Sequence, residues 1–211
     1  MKRGFTLVEI LIVLGIIGVV AAITMPLIVK HHEKQVTVTK LKKIYSTLNQ
    51  AMQNSIAENG DSINWIDTNQ SMNYDNMKAY FDKYWAPYIK IAKYCNSTST
   101  CGYSAEPKDY YGKGMSIAMF GAPRICYIDP NGAYFMFRNS NQSKMGYLQN
   151  IFIDVNGSKG PNIVGKDWFV LNINLDKNAI KVSNLNGCPS VGVWSGCAYS
   201  IIKNGWKIIY Y

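Results

Sequence analysis

Gly4-Phe5-Thr6-Leu7-Val8-Glu9-Ile10-Leu11-Ile12-Val13-Leu14-Gly15-Ile16-Ile17-Gly18-Val19-Val20-Ala21-Ala22-Ile23, with Pro26 shortly after, decides the architecture of this 211-residue chain. Between Phe5 and Val29 the one charged residue is Glu9. Wound as a helix, that run spans about 37 Å against a hydrocarbon core of about 30 Å, which is enough to cross a bilayer. Lys2 and Arg3 stand just before it and hold the N-terminus on the cytoplasmic side, so the remainder of the chain is expected outside. A helix apolar on every side must meet lipid or other copies of itself.

A discarded secretory signal would explain an apolar N-terminal run too, with Val20-Ala21-Ala22 as its cleavage site. Glu9 argues against that. A carboxylate inside a membrane segment costs about 2.5 to 3.5 kcal/mol at the bilayer centre, and a peptide destined for removal has no use for it. It belongs to a segment that persists.

These residues resemble the N-terminus of type IV prepilins and type II secretion pseudopilins. The resemblance implies that a prepilin peptidase cuts between Gly4 and Phe5 and that the new amine of Phe5 is methylated. It implies assembly through the helix as well. A carboxylate held in lipid needs a cationic partner, and the Phe5 amine of the same or a neighbouring subunit supplies one for Glu9. Glu9 is therefore the expected assembly residue. Partners follow from the resemblance: other copies and other pilins, the prepilin peptidase, an inner-membrane platform and the membrane itself.

Past the membrane the helix is expected to continue. Leu41, Ile44, Tyr45, Leu48, Met52 and Ile56 recur at intervals of three and four, with Lys40, Lys42, Lys43, Asn49, Gln50 and Gln53 mostly between them. Asn59-Gly60-Asp61 supplies the stop. An irregular connector follows, holding one short helix marked by Met77, Tyr80, Phe81 and Tyr84 and ended by Pro87. Strands are then predicted at Met115 to Phe120, Arg124 to Ile128, Ala133 to Arg138, Leu148 to Val155, Trp168 to Ile173 and Ala179 to Ser183. Asp129-Pro130-Asn131-Gly132 and Leu175-Asp176-Lys177-Asn178 read as hairpin connections. The fold class is α+β: a long N-terminal helix packed on an antiparallel sheet, as in the pilin fold. The expected divisions are a leader at 1–4, a transmembrane and assembly helix at 5–29, its amphipathic continuation at 30–59 and an extracytoplasmic head at 60–211.

Five cysteines lie in the head. The spacings suggest two local disulfide loops, Cys95 with Cys101 and Cys188 with Cys197, leaving Cys126 over, although spacing does not by itself fix the pairing. Zinc is not expected, since no Cys-x2-Cys spacing occurs and no histidine accompanies them. Asp154-Val155-Asn156-Gly157-Ser158-Lys159-Gly160-Pro161-Asn162, followed by Asp167, has the oxygen donors of a calcium loop, and some pseudopilins carry calcium in this part of the chain. Asp154, Asn156 and Asp167 are the side chains that would ligate it. Asx turns explain the same residues without metal, and the spacing is not that of an EF-hand. No cofactor other than calcium is expected. This loop and the Gly196-Cys197-Ala198 to Asn204-Gly205 stretch also look like segments of a bacterial subgroup of prepilin-like proteins.

The formal charge is +9 and becomes +7 once Lys2 and Arg3 are removed. Much of it lies between Lys30 and Lys43, where lipid headgroups account for it, so nucleic acid is not the expected partner. An enzyme is not expected either. His31 and His32 are the only histidines and both sit at the membrane exit, so the head lacks an imidazole for general-base work. The expected function is a structural subunit of a type IV pilus or a type II secretion pseudopilus. The alternatives are a minor pilin that acts as an adhesin or DNA-uptake module, and a membrane-tethered enzyme.

Overall fold

A computed structural model describes residue 4 and residues 6–66, 74–95, 101–103, 106–115, 124–139, 148–182, 187–189 and 196–211. The chain forms two compact units that divide between Val36 and Thr37. Helix α1 (Leu7–Asn59) contributes to both.

In the first unit α1 is apolar on all sides and exposed along its length: Leu7 is 77% exposed, Ile23 66% and Leu27 67%. It is the one helix among the described residues long and apolar enough to cross a membrane. Pro26 lies inside it. Two residues before it, the Thr24 hydroxyl donates to the Val20 carbonyl at 2.9 Å.

The second unit is a six-stranded antiparallel meander with helices against it. Its strands are β1 (Lys93–Cys95), β2 (Arg124–Ile128), β3 (Tyr134–Asn139), β4 (Leu148–Asp154), β5 (Trp168–Asn174) and β6 (Ala179–Lys181), hydrogen-bonded in sequence order. The β1 and β6 edges are three residues each. Strand alternation gives the sheet two faces. One carries Ile125, Tyr127, Phe135, Phe137, Ile151, Ile153, Phe169 and Leu171, all buried. Helix α2 (Tyr74–Tyr84) packs here: the Phe81 ring lies 5.7 Å from Tyr127 and 5.1 Å from Phe137, and Trp85, just past the helix, lies 5.1 Å from Phe137. The predicted amphipathic stripe of α1 is buried at Leu41, Ile44, Leu48 and Met52, with Ala51 and Ser55 beside it.

The other face is partly aromatic. Tyr103 stacks on Tyr134 at 4.2 Å, and Phe152 lies 5.2 Å from Trp168. Helix α3 (Cys197–Lys203) follows Gly196, whose φ of 104° is one that side chains rarely adopt.

Helix α1 ends where the sequence places its stop. Gly60 takes φ 77° and donates to the Ile56 carbonyl at 2.9 Å. The end is tied to the sheet through the β5–β6 turn. Ser62 donates from its backbone N and its hydroxyl to Asn178 Oδ1, at 2.9 and 2.7 Å, while Asn178 Nδ2 reaches Asp61. Asn178 itself is left-handed, φ 48°, as this turn requires.

Five strand boundaries differ from the sequence reading, one of them the end of β3, where Asn139 still pairs with Gln149. Ala133 donates to the Asp129 side chain and closes the turn before β3. Val155 leaves the ladder to donate to the Asp167 carbonyl, so β4 stops at Asp154. Asn174 still pairs with Leu148 and Ala179, so β5 runs one residue further than predicted. Lys181 is the last residue of β6 and Val182 lies outside it, while Ser183 falls outside the described residues. At the strand predicted from Met115 to Phe120, Met115 is in no strand but donates to the Pro107 carbonyl, and 116–120 fall outside the described residues.

Candidate functional site

The N-terminal segment is built around Thr6 and Glu9. The Thr6 backbone N and hydroxyl both donate to Glu9 Oε2 at 2.8 Å, and the Glu9 backbone N donates to Thr6 Oγ1 at 3.3 Å. This is a capping box: the residue before the first turn and the third residue within it satisfy each other's unpaired donors. Glu9 thus has a local task inside its own chain, one that Thr6-x-x-Glu9 spells out in the sequence. Gly4 is exposed and irregular, while Phe5 lies outside the described residues, as do Met1 to Arg3.

In the head, the structure brings Asp154, Asn156 and Asp167 together at the end of β4. Both carboxylates are buried. Asp154 Oδ2 accepts from the Tyr103 hydroxyl at 2.7 Å and Oδ1 from the Asn156 backbone N at 3.1 Å. Asp167 Oδ1 accepts from Ile163 N at 2.7 Å; its Oδ2 accepts from Asn162 N at 2.8 Å and from Asn156 Nδ2 at 3.3 Å. Burial pushes the Asp154 carboxyl up to about 7; the Tyr103 hydrogen bond opposes the shift and the charge of Asp167 adds to it. Burial raises Asp167 in the same way, against its hydrogen bonds from Asn162 and Ile163.

Calcium takes six to eight oxygen ligands. All four carboxylate oxygens here already accept from N–H or O–H groups of the protein itself. Asn156 Oδ1 and Asn162 Oδ1 are buried without a hydrogen-bond partner. Among the described residues no group of three or more His, Cys, Asp or Glu side chains gathers as a metal would require.

The structure bonds Cys95 to Cys101 and Cys188 to Cys197, and buries Cys126 as a free thiol. Cys126 stands opposite Cys95 across β1 and β2 and accepts from the Tyr134 hydroxyl at 3.0 Å. Burial pushes this thiol up, which suits a packed side chain rather than a nucleophile.

A capped, uncovered apolar helix leading into a disulfide-bonded α+β head defines a class, and the comparisons agree. Residues 1–25 match the prokaryotic N-terminal methylation motif, which places the chain among prepilin-type proteins. Residues 27–210 match the family of unknown function DUF6613, and the chain belongs to that family. No curated protein and no solved structure matches it. The motif indicates a structural subunit, and with the apolar helix it fits membrane anchoring.

Proposed function

We propose that this protein is a subunit of a type IV pilus or type II secretion pseudopilus, cut between Gly4 and Phe5, methylated at Phe5 and polymerised through α1. In this reading it starts as a single-pass inner-membrane protein with its head outside the cytoplasm, and an inner-membrane platform draws it into a filament with other pilins. The observation that carries the reading is the methylation motif at residues 1–25 heading a helix whose apolar half is exposed among the described residues. Glu9 seats the incoming helix by pairing with the Phe5 amine of a neighbour. The Asp154 loop serves as a self-closed structural turn, without calcium.

The capping box makes the test of Glu9 sharper than an alanine substitution. Gln serves at the third position of a capping box as Glu does, but carries no charge. Glu9→Gln therefore keeps the cap and removes the ion pair, while Glu9→Ala removes both. Wild-type protein recovered from sheared filaments is expected to have the intact mass of a chain starting at methylated Phe5, and both variants are expected to be absent from filaments. Assembly of Glu9→Gln together with failure of Glu9→Ala would reduce Glu9 to a helix cap. A wild-type chain beginning after Ala22 would overturn the whole reading.

A further inference from the structure

Helix α1, the β2–β3 hairpin and the segment after α2 enclose a groove of about 620 Å³, within the range of pockets that hold small organic ligands. Its base is apolar. Ile44 and Leu48 come from α1, while Tyr127 and Phe135, stacked at 4.5 Å with their rings nearly parallel, come from β2 and β3. Half-buried Ile89 adds to one wall. Lys43, Thr47, Lys90, Pro130 and Asn131 line the groove and are exposed, so it opens to solvent. The hairpin wall is fixed in advance, because Asp129 Oδ1 accepts from the backbone N of Asn131 and of Ala133, both at 2.9 Å, and Oδ2 from Asn131 Nδ2 at 3.1 Å.

The charges along this groove are unbalanced. Lys40, Lys43 and Lys90 line it against the single carboxylate of Asp129, and among the described residues none of the three forms an ion pair with that group. Lys40 donates to the Val155 carbonyl at 3.2 Å. Lys43 and Lys90 are exposed and are in no ion pair among the described residues. A second carboxylate, Glu58, does not line the groove and accepts from the hydroxyl of Tyr88, which does, at 2.7 Å. An apolar base bordered by an excess of cations suits an amphiphilic anion, whose hydrocarbon leaves water on the base while its charge meets the ammonium groups.

We propose that this groove binds a free fatty acid, its chain laid over Ile44, Leu48, Tyr127 and Phe135 and its carboxylate met by Lys43 and Lys90. Lysine suits a carboxylate at an open mouth, because a compact charge on a flexible stem can follow the headgroup where a rigid fork would demand one geometry. All of these residues lie in the second unit, so binding is independent of the N-terminal motif and of assembly.

The test uses the full chain in a non-ionic detergent at constant ionic strength, with the isoleucine and leucine methyls labelled for NMR. It is titrated with octanoate, a soluble fatty acid, and separately with acetate, which lacks the chain, and with octylammonium, which reverses the charge. Octanoate is expected to shift the methyl signals of Ile44, Leu48 and Ile89 to saturation, and the other two to give no saturable shift. Lys43→Gln combined with Lys90→Gln is expected to weaken octanoate binding by roughly fivefold, as the loss of two exposed ion pairs should. Thr47→Trp is expected to obstruct the groove and abolish the saturable shifts. Both variants alter exposed positions, and an unchanged signal from the buried Ile201 of α3 shows that each has folded. Absence of saturation in the wild type, an equal response to octylammonium, or undiminished octanoate binding in either variant would overturn the proposal. So would a response to phosphatidylglycerol in mixed micelles without one to octanoate, which would make the groove a phospholipid site.

Discussion

Asp154 shows how much a single residue's surroundings matter. Its carboxyl titrates near 4 in an unfolded chain and at about 7 in the folded head, so between those values the native state holds the extra proton. Stability must then be greatest at the acid end of that window and fall as pH rises through it. Asp167 shifts in the same direction. The head's unfolding midpoint is expected to drop between about pH 5 and about pH 8, and Asp154→Asn to remove most of that drop. Added calcium is expected to leave the wild-type midpoint unchanged at about pH 8; a clear rise there would make the loop a cation site. The sequence exposes this residue unevenly. The Asx turn from Asp154 to Asn156 is local and legible, whereas Tyr103 is 51 positions away, and only the folded sheet makes it a partner.

Among the elements, legibility followed length and period. The amphipathic stretch of α1 repeats its apolar spacing over several turns, and α2 places Met77, Tyr80, Phe81 and Tyr84 on one face, all four buried. Strand β1 and helix α3 escaped the sequence reading. Three residues are too few to show alternation, and β1 exists because Lys93, Tyr94 and Cys95 pair with Ile128, Tyr127 and Cys126. Seven residues give α3 barely two turns, and tertiary packing of Cys197, Ala198 and Ile201 sustains it. Phe81 is the keystone of α2, with its ring within 6 Å of Tyr94, Tyr127 and Phe137. Phe81→Ala is expected to cost about 3 to 5 kcal/mol, read as a lower denaturant midpoint with an unchanged slope.

At the level of the whole molecule, the boundary between Val36 and Thr37 separates two kinds of stability. The first unit is a helix with its apolar side chains uncovered, whereas the second has a core of its own built from α1, α2 and the sheet. A fragment beginning at Thr37 keeps every residue of α1 that is buried in the head, from Leu41 to Ser55. It is expected to fold cooperatively in water without detergent and to unfold at a midpoint close to that of the full chain. Precipitation of the fragment, or a broad non-cooperative transition, would mean that the head relies on the preceding segment. The sequence reading divides α1 after Val29, where the fully apolar run ends, and the compact units divide seven residues later. The point where packing begins did not show, because the stripe starts gradually among lysines.

The brevity of the sheet's two borders has a consequence for crowding. An unpaired strand edge is a template on which another chain can add, and the hazard grows wherever many copies are held side by side. Strands β1 and β6 offer three residues each, too few to nucleate a cross-β ladder. Each also carries an exposed lysine, Lys93 on one and Lys181 on the other, and the first is fastened by the Cys95–Cys101 bond. Heads made this way can be packed at high local density without amyloid-like growth from edge to edge.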